Sequence, residues 1–464
     1  MKITTPISDF VHDYVVKHPL RLHMPGHKGT LLTGFETYDI TEVAGADSLY
    51  EADGIIRESE HNASLLFGFP TFYSTEGSSQ CIRAMLYLVT VYARERGTER
   101  PLILAGRNAH KTFLSAAALL DLDVDWLFPD GDWGYLSCNI SPAHLEAVLA
   151  GYGRGMEPAA VYLTSPDYLG NVADIAGLAA VCHRYGVLLV VDNAHGAYLK
   201  FLSPSRHPMD LGADLCCDSA HKTLPVLTGG AYLHIGIHLP PLFCRQAKQA
   251  LALFGSTSPS YLILQSLDVA NAVMAGDDFT PSLLATARMV AACRAKLSDH
   301  GINADCGDEP LKLTIYPQMY GYTGMEVADY LRENRIECEF ADPNYLVFMV
   351  TPAITEEDMD RLTEVLLALP QREALHHCPP PPVKPQRVMS VREAALSPSE
   401  VLPAGECLGR VLAAATVGCP PAVPIVASGE VIDEGCLACF DYYGIETCAV
   451  VRRDFSDTRK DGSI

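Results

Sequence analysis

Positive charge is scarce in this 464-residue sequence, where 34 Lys and Arg stand against 56 Asp and Glu for a formal net charge of -22 at pH 7. That balance excludes nucleic acid and anionic membrane as partners, because both would be repelled. A cationic small molecule would be welcome, although many proteins are acidic for solubility alone. Charged residues make up only 19% against 48% hydrophobic, which excludes a disordered chain. The opening segment MKITTPISDFVHDY lacks the basic start and apolar stretch of a signal peptide. Thr223 to Cys244 carries no Asp, Glu, Lys or Arg, but Pro225, Gly229-Gly230 and Pro240-Pro241 break it into short buried strands and turns instead of a membrane span. The lone CxxC, Cys436 to Cys439, has no second pair at metal-ligand spacing, so no metal is expected. Several of the 15 cysteines, the adjacent Cys216-Cys217 among them, sit in apolar runs as reduced, buried thiols do. The expectation is a soluble, cytoplasmic protein without internal repeats.

What is present is a long alternation. PLILAG (101–106), AAVYLTS (159–165), GVLLVVD (186–192) and ADLCCDS (213–219) are continuous apolar runs ending in small or polar residues. Between several of them lie helical patterns such as HKTFLSAAALLD and DIAGLAAVCHRYG. Strands buried on both faces with helical crossovers predict an α/β fold with a mostly parallel sheet. From about 280 to 370 the texture shifts to a small α+β unit, in which LKLTIYP, GMEVADYLRENRIECEF and YLVFMVTP read as strand, helix and strand. HHCPPPPVKPQ then reads as a stiff linker. The expected division is an arm and major domain over 1–275, a small domain over 276–375 and a C-terminal domain over 389–464, with PPAVPIVASGEVI as an extended segment.

Ligands of such sheets sit at the carboxyl ends of strands. Asp192 ends one buried strand, with His195 close behind; a helix cap or a structural ion pair is the plainer account of it. Ser219, His221 and Lys222 follow a second strand end. A lone lysine beside buried strands is usually a snorkelling side chain, but a desolvated lysine is also a nucleophile toward an aldehyde. STEGSSQCIRAML is a Gly/Ser loop opening into a helix, where Ser78 and Ser79 can hold a phosphate, or simply cap the helix. His110, in GRNAHKTF, offers a plate for a flat ring. Pyridoxal 5'-phosphate needs this combination: a lysine for its aldehyde, a carboxylate for its ring nitrogen, a phosphate cup and a stacking group. Lys222 is then its Schiff-base lysine, with Lys222, Asp192 and His110 as the catalytic set.

The sequence also resembles the pyridoxal-phosphate-dependent ornithine/lysine/arginine decarboxylases, in the short bacterial form without the extra N-terminal domain of the long enzymes. The stretches that carry the resemblance are RLHMPGHKG (21–29), DITEV (39–43), STEGSSQ (74–80), RNAHKT (107–112), SPDYLGN (165–171), VVDNAHG (190–196), SAHKT (219–223), GSTSPSYLILQSLDVA (255–270) and PPAVPIVASGEVI (420–432). It implies the aspartate aminotransferase fold (fold type I) and an obligate homodimer with sites at the subunit interface. It gives Ser78 and Ser79 to the phosphate, His110 to the stacking ring, Asp192 to the pyridine nitrogen and His195 a place beside the ring. Ser219 and His221 flank Lys222 on the phosphate side, and Thr257 and Ser258 reach the neighbouring subunit's phosphate.

Two departures stand out. LPVLTGG follows the lysine where the family often has small residues and then Thr-Gln, so Gly229 supplies no side-chain amide. DSLYEADG (47–54) replaces an Asp-Asp-Leu-His step common in the family, which opens the choice among arginine, lysine and ornithine. The expected reaction is decarboxylation of one of these to its polyamine-type amine. An aminotransferase or lyase on the same fold would share every cofactor contact, and a non-catalytic cofactor-binding protein would share the cup.

Overall fold

A computed structural model of the chain describes residues 3–129, 134–137, 139–153, 155–376, 378–414, 416–419 and 423–453. Helices α1 (Pro6–Val16) and α2 (Ile55–Phe67), strand β1 (Thr71–Ser74) and helix α3 (Gly77–Glu95) come first. The alternating stretch follows as β2 (Leu102–Gly106), α4 (Lys111–Leu120), β3 (Asp123–Leu127), α5 (Pro142–Ala150), β4 (Ala160–Thr164), α6 (Ile175–Arg184), β5 (Leu188–Asp192), β6 (Leu215–Asp218), the one-turn α7 (Ala220–Thr223) and β7 (Ala231–Ile235). The four apolar runs expected as strands are β2, β4, β5 and β6, and the two helical patterns are α4 and α6. Helices α8 (Leu242–Ala252), α9 (Tyr261–Met274) and α10 (Phe279–Asp299) lead into β8 (Asn303–Cys306), β9 (Lys312–Tyr316), α11 (Gly324–Glu333), β10 (Phe340–Ala341), β11 (Leu346–Met349) and α12 (Glu356–Leu367). The tail holds α13 (Val391–Ala395), β12 (Ser399–Pro403), β13 (Thr416–Cys419), β14 (Val423–Ala427), α14 (Glu434–Tyr442) and β15 (Thr447–Val451).

The chain divides into two compact units. The first comprises residues 1–96, 175–183 and 188–284. Its strands lie in the order β1-β7-β6-β5, with β5 and β6 parallel and β7 antiparallel to both β6 and β1. β5, β6 and β7 are buried along their whole length, as strands covered on both faces must be. Away from the sheet, Asp268 of α9 accepts the first-turn N–H groups of Ile7 and Ser8 at 2.9 and 3.0 Å, and so caps α1 from outside.

The second unit comprises residues 97–174, 184–187 and 285–464. Here β4, β2 and β3 run parallel in that order, and β10-β11-β9-β8 form an antiparallel sheet. Leu297, Leu313, Leu331 and Leu346 are fully buried at the centre of its core. The helix read from GMEVADYLRENRIECEF proves shorter than its pattern, for α11 stops at Glu333 and Phe340–Ala341 is strand β10. Arg335 adopts a left-handed φ of 60°, while its N–H and that of Ile336 bond back to the carbonyls of Arg332 and Leu331. That is a Schellman stop made with arginine where glycine is usual, so the sequence carries no visible punctuation there. The described residues of the linker, 370–376 and 378–386, form no regular element. Tail residues Ile425, Ile432, Cys436 and Val450 share a buried core with Leu169, Phe340 and Val347.

Candidate active site

Topology gathers one edge of the first unit's sheet. Parallel β5 and β6 both end there, with Asp192 opposite Cys217. Antiparallel β7 begins there after the Gly229-Gly230 turn, and β1 ends there, with Ser74 opposite Ala231. The segments around residues 74–79, 192–195, 219–222 and 229–230 are therefore neighbours by strand register alone.

Side-chain contacts draw several of the candidates together. Lys222, half-buried in the one-turn α7, places Nζ 2.8 Å from Nε2 of His195, which is itself buried. Ser219 Oγ donates to Ser78 Oγ at 2.8 Å, linking the lysine turn to the start of α3. His221 packs its backbone N–H and its Nδ1 against the Gly230 carbonyl, at 3.2 and 3.0 Å. Gly77 N–H meets the Gly229 carbonyl at 2.7 Å. Gly229 has a φ of +100°, and a Cβ there would stand 2.8 Å from the Thr75 carbonyl oxygen. The absence of a side-chain amide at Gly229 thus has a steric cause, since this turn passes too close to the Thr75 backbone for a Cβ and holds a positive φ.

Do these residues fit a phosphate-bearing aldehyde cofactor? Helix α3 has 19 residues and no side-chain cap, because Glu76 at its N-cap turns away to accept the backbone N–H of Ser256. A long helix opening without a side-chain cap beside the hydroxyls of Ser78 and Ser219 suits an anion. Asp192 is 2% exposed, and its Oδ1 accepts the Ala194 N–H at 3.2 Å and faces Cys217 Sγ at 3.6 Å. The donor set, amine, carboxylate, hydroxyls and helix start, fits.

A model of the Orn/Lys/Arg decarboxylase major domain matches residues 5–307. The chain belongs to the ornithine/lysine/arginine decarboxylase family. It is 29% identical to an arginine decarboxylase of Halalkalibacterium halodurans over 94% of this chain and 92% of that one. An arginine decarboxylase of Bacillus subtilis is 28% identical over 93% and 91% of the two chains. Among solved structures, the lysine decarboxylase LdcF of Francisella novicida superposes with a TM-score of 0.80 at 17% identity, over 97% of this chain and 81% of that one. That likeness shows the fold, the α/β fold type I of pyridoxal-phosphate-dependent enzymes. The chain is thus an enzyme, an amino-acid decarboxylase of a family that acts on basic amino acids.

His110 lies in the second unit, half-exposed, and N-caps α4 by accepting the Thr112 N–H on Nδ1 at 3.2 Å. Thr257 and Ser258 are exposed in the loop before α9, beside Ser256.

Sequence reasoning passed over a residue that braces the end of β5 beside Asp192. Asp218, fully buried at the end of β6, accepts from Asn193 Nδ2 at 2.7 Å and meets the Nε2 atoms of His207 and His234 at 3.0 and 3.1 Å. Burial pushes its carboxyl up, but the two histidines outweigh that and hold it far below the ordinary carboxylate range. Burial lowers His234 in turn, against the pull of Asp218. Asn193 follows Asp192 directly, so this network pins the end of β5. The strand-end rule that singled out Asp192 applies equally to Asp218 in LCCDS. Arg107 and Glu430 were also missed. In the second unit they pair at 3.1 Å with 1% and 3% side-chain exposure, within two of the matching stretches.

Proposed function

We propose that this decarboxylase acts on arginine with pyridoxal 5'-phosphate held by Lys222, and releases carbon dioxide and the corresponding amine. The observation that carries the reading is the convergence of Lys222, His195, Ser219 and Ser78 on the strand edge that also bears Asp192. The preference for arginine rests on relatives of that name that align along almost the whole chain. When bound, the cofactor supplies an electron-poor ring that accepts the electron pair left on the α-carbon as the carboxylate departs.

The chain's own residues do the rest. Lys222 provides the amine for the aldehyde, and His195, as the tautomer with Nε2 unprotonated, accepts a hydrogen bond from it and fixes its direction. Asp192 keeps the ring nitrogen protonated. Ser78, Ser79, Ser219 and His221 hold the phosphate at the start of α3, and His110 stacks on the ring. Thr257 and Ser258 serve the partner subunit's phosphate, which makes the enzyme a homodimer. The nine buried thiols among twelve described free cysteines support a reducing, cytoplasmic setting. Among the described residues no helix is long and apolar enough to cross a membrane. In this reading the amine product feeds polyamine formation.

The test is direct. Purified protein with added cofactor is incubated separately with arginine, lysine and ornithine, and carbon dioxide and amine are measured. Arginine should give both at the highest kcat/KM. Preference for lysine or ornithine would move the substrate, and keto acid without gas would overturn the reading in favour of an aminotransferase.

A further inference from the structure

At the opposite edge of the first unit's sheet, where β7 ends and β6 begins, three potential ligands meet. Asp214 precedes β6, His238 follows β7, and His183 stands in the last turn of α6. His183 Nε2 lies 3.1 Å from Asp214 Oδ2, and His238 Nε2 lies 2.6 Å from Asp214 Oδ1. The ligand atoms all fall within 4.8 Å of one another. The carboxylate is 2% exposed, whereas the two imidazoles are 43% and 51% exposed, with ring centroids 5.7 Å apart.

The backbone holds this carboxylate in place. Asp214 Oδ2 accepts the Leu189 N–H at 2.6 Å, its own N–H donates to the Leu189 carbonyl at 2.9 Å, and its carbonyl accepts from Gly236 at 2.8 Å. The segment is therefore tied to the start of β5 and the end of β7 at once. Gly236 leaves room for the His238 ring in this position, because a Cβ there would lie 2.8 Å from His238 Cε1 and 3.1 Å from the Asp214 carbonyl oxygen. The result is one fixed oxygen donor and two half-exposed nitrogen donors facing it.

We infer that His183, Asp214 and His238 form a binding site for a divalent ion of the zinc class, separate from the decarboxylase site. Imidazole and carboxylate suit zinc, cobalt(II), nickel(II) and copper(II) more than magnesium or calcium. Tetrahedral ligation with bonds of 2.0–2.1 Å needs donor atoms about 3.3 Å apart. The two imidazole-to-carboxylate distances are within several tenths of an ångström of that, and the exposed rings are free to open by the difference. Binding requires the Nε2 lone pairs, so any proton on Nε2 must move to Nδ1 or leave. Three protein ligands leave a fourth position open to water, as in zinc sites that are not closed by protein alone.

The test is calorimetric titration of zinc chloride into chelator-treated, cofactor-loaded enzyme, beside the double variant His183→Ala/His238→Ala. The expected result is one equivalent bound by the native protein and lost in the variant, with zinc raising the melting temperature of the native protein alone. Cobalt(II) at this equivalent should show ligand-field bands without the charge-transfer absorption of thiolate, which separates it from metal held by the exposed Cys244 and Cys378. The variant's decarboxylase activity and zinc-free melting curve report whether it folds, and His183→Gln/His238→Gln, which keeps an N–H donor to the buried Asp214 carboxylate, replaces it where alanine does not fold. No binding at micromolar zinc, or an equivalent that survives in the folded variant, would overturn the site.

Discussion

At the scale of single residues, substitution separates the strand-end groups that hold the structure from those proposed to face the chemistry. Asp192 accepts the Ala194 N–H at 3.2 Å and faces Cys217 Sγ, and asparagine, its isostere, can keep the former. Asp192→Asn should therefore cost at most about 1 kcal/mol of stability while lowering kcat by about 10²- to 10³-fold, the range for losing one electrostatic stabiliser. Thermal melts beside steady-state kinetics check the split, and equal losses in both would assign Asp192 to the fold. Lys222→Ala should abolish both turnover and the visible absorption of the lysine-bound cofactor; absorption that survives unchanged would exclude Lys222. Asp218 is the converse case. Replacing it with alanine leaves His207 and His234 without their shared carboxylate in a dry interior, and should destabilise the protein by about 3 kcal/mol in chemical denaturation.

At the scale of elements, the tail grips the second unit's parallel strands and the helix that His110 caps. Arg392 Nη1 donates to the carbonyls of Ala118 and Leu119 at 3.0 Å each, satisfying the last turn of α4. Glu430 joins Arg107, Trp126 Nε1 at 2.9 Å and the Ala427 N–H at 2.8 Å. Arg107 is almost wholly buried with its guanidinium 4.7 Å from the Trp126 ring centroid, so Glu430→Ala strands a charge and should cost about 3–5 kcal/mol. Adding Arg107→Met should recover part of that loss, and a double variant worse than the sum of the singles would refute the pairing. The buried cap of α1 has its own pH signature. Burial raises the Asp268 carboxyl to about 6, against bonds from Ser59, Ser8 and Ile7 that favour its charged form. A raised carboxyl means that the folded state binds the extra proton, so its contribution declines as pH rises from the ordinary value of 3.8 to about 6 and is level above. The melting-temperature gap between native protein and Asp268→Asn should shrink over that window; a gap that widens would mean capping prevails over burial.

At the scale of the whole molecule, what was legible in the sequence follows from which forces leave a local mark. Continuous burial marks β2, β4, β5 and β6, and helical periodicity marks α4 and α6, so the alternation could be read directly. The Lys222 turn and the Gly77 helix start drew attention because a lone lysine and a Gly/Ser loop are unusual at strand ends, and the structure brings both to one place through Ser219 and Ser78. Partnerships left no such mark. Nothing local in LCCDS says that His207 and His234 return to Asp218, and nothing in GRNAH says that Glu430, over 300 positions later, balances Arg107. Where a second subunit would meet this chain is of the same kind, because Thr257 and Ser258 are exposed in a single chain. If they serve the partner's phosphate, each site draws on two chains, and mixing can reveal it. Lys222→Ala and Thr257→Ala/Ser258→Ala proteins, each expected to lose activity by itself, are unfolded together in equal amounts and refolded. Half of the resulting dimers are hybrids in which one site has every native residue, so activity should return to about a quarter of the native value. If every residue of a site came from one chain, no combination would restore an intact site, and the mixture would stay inactive.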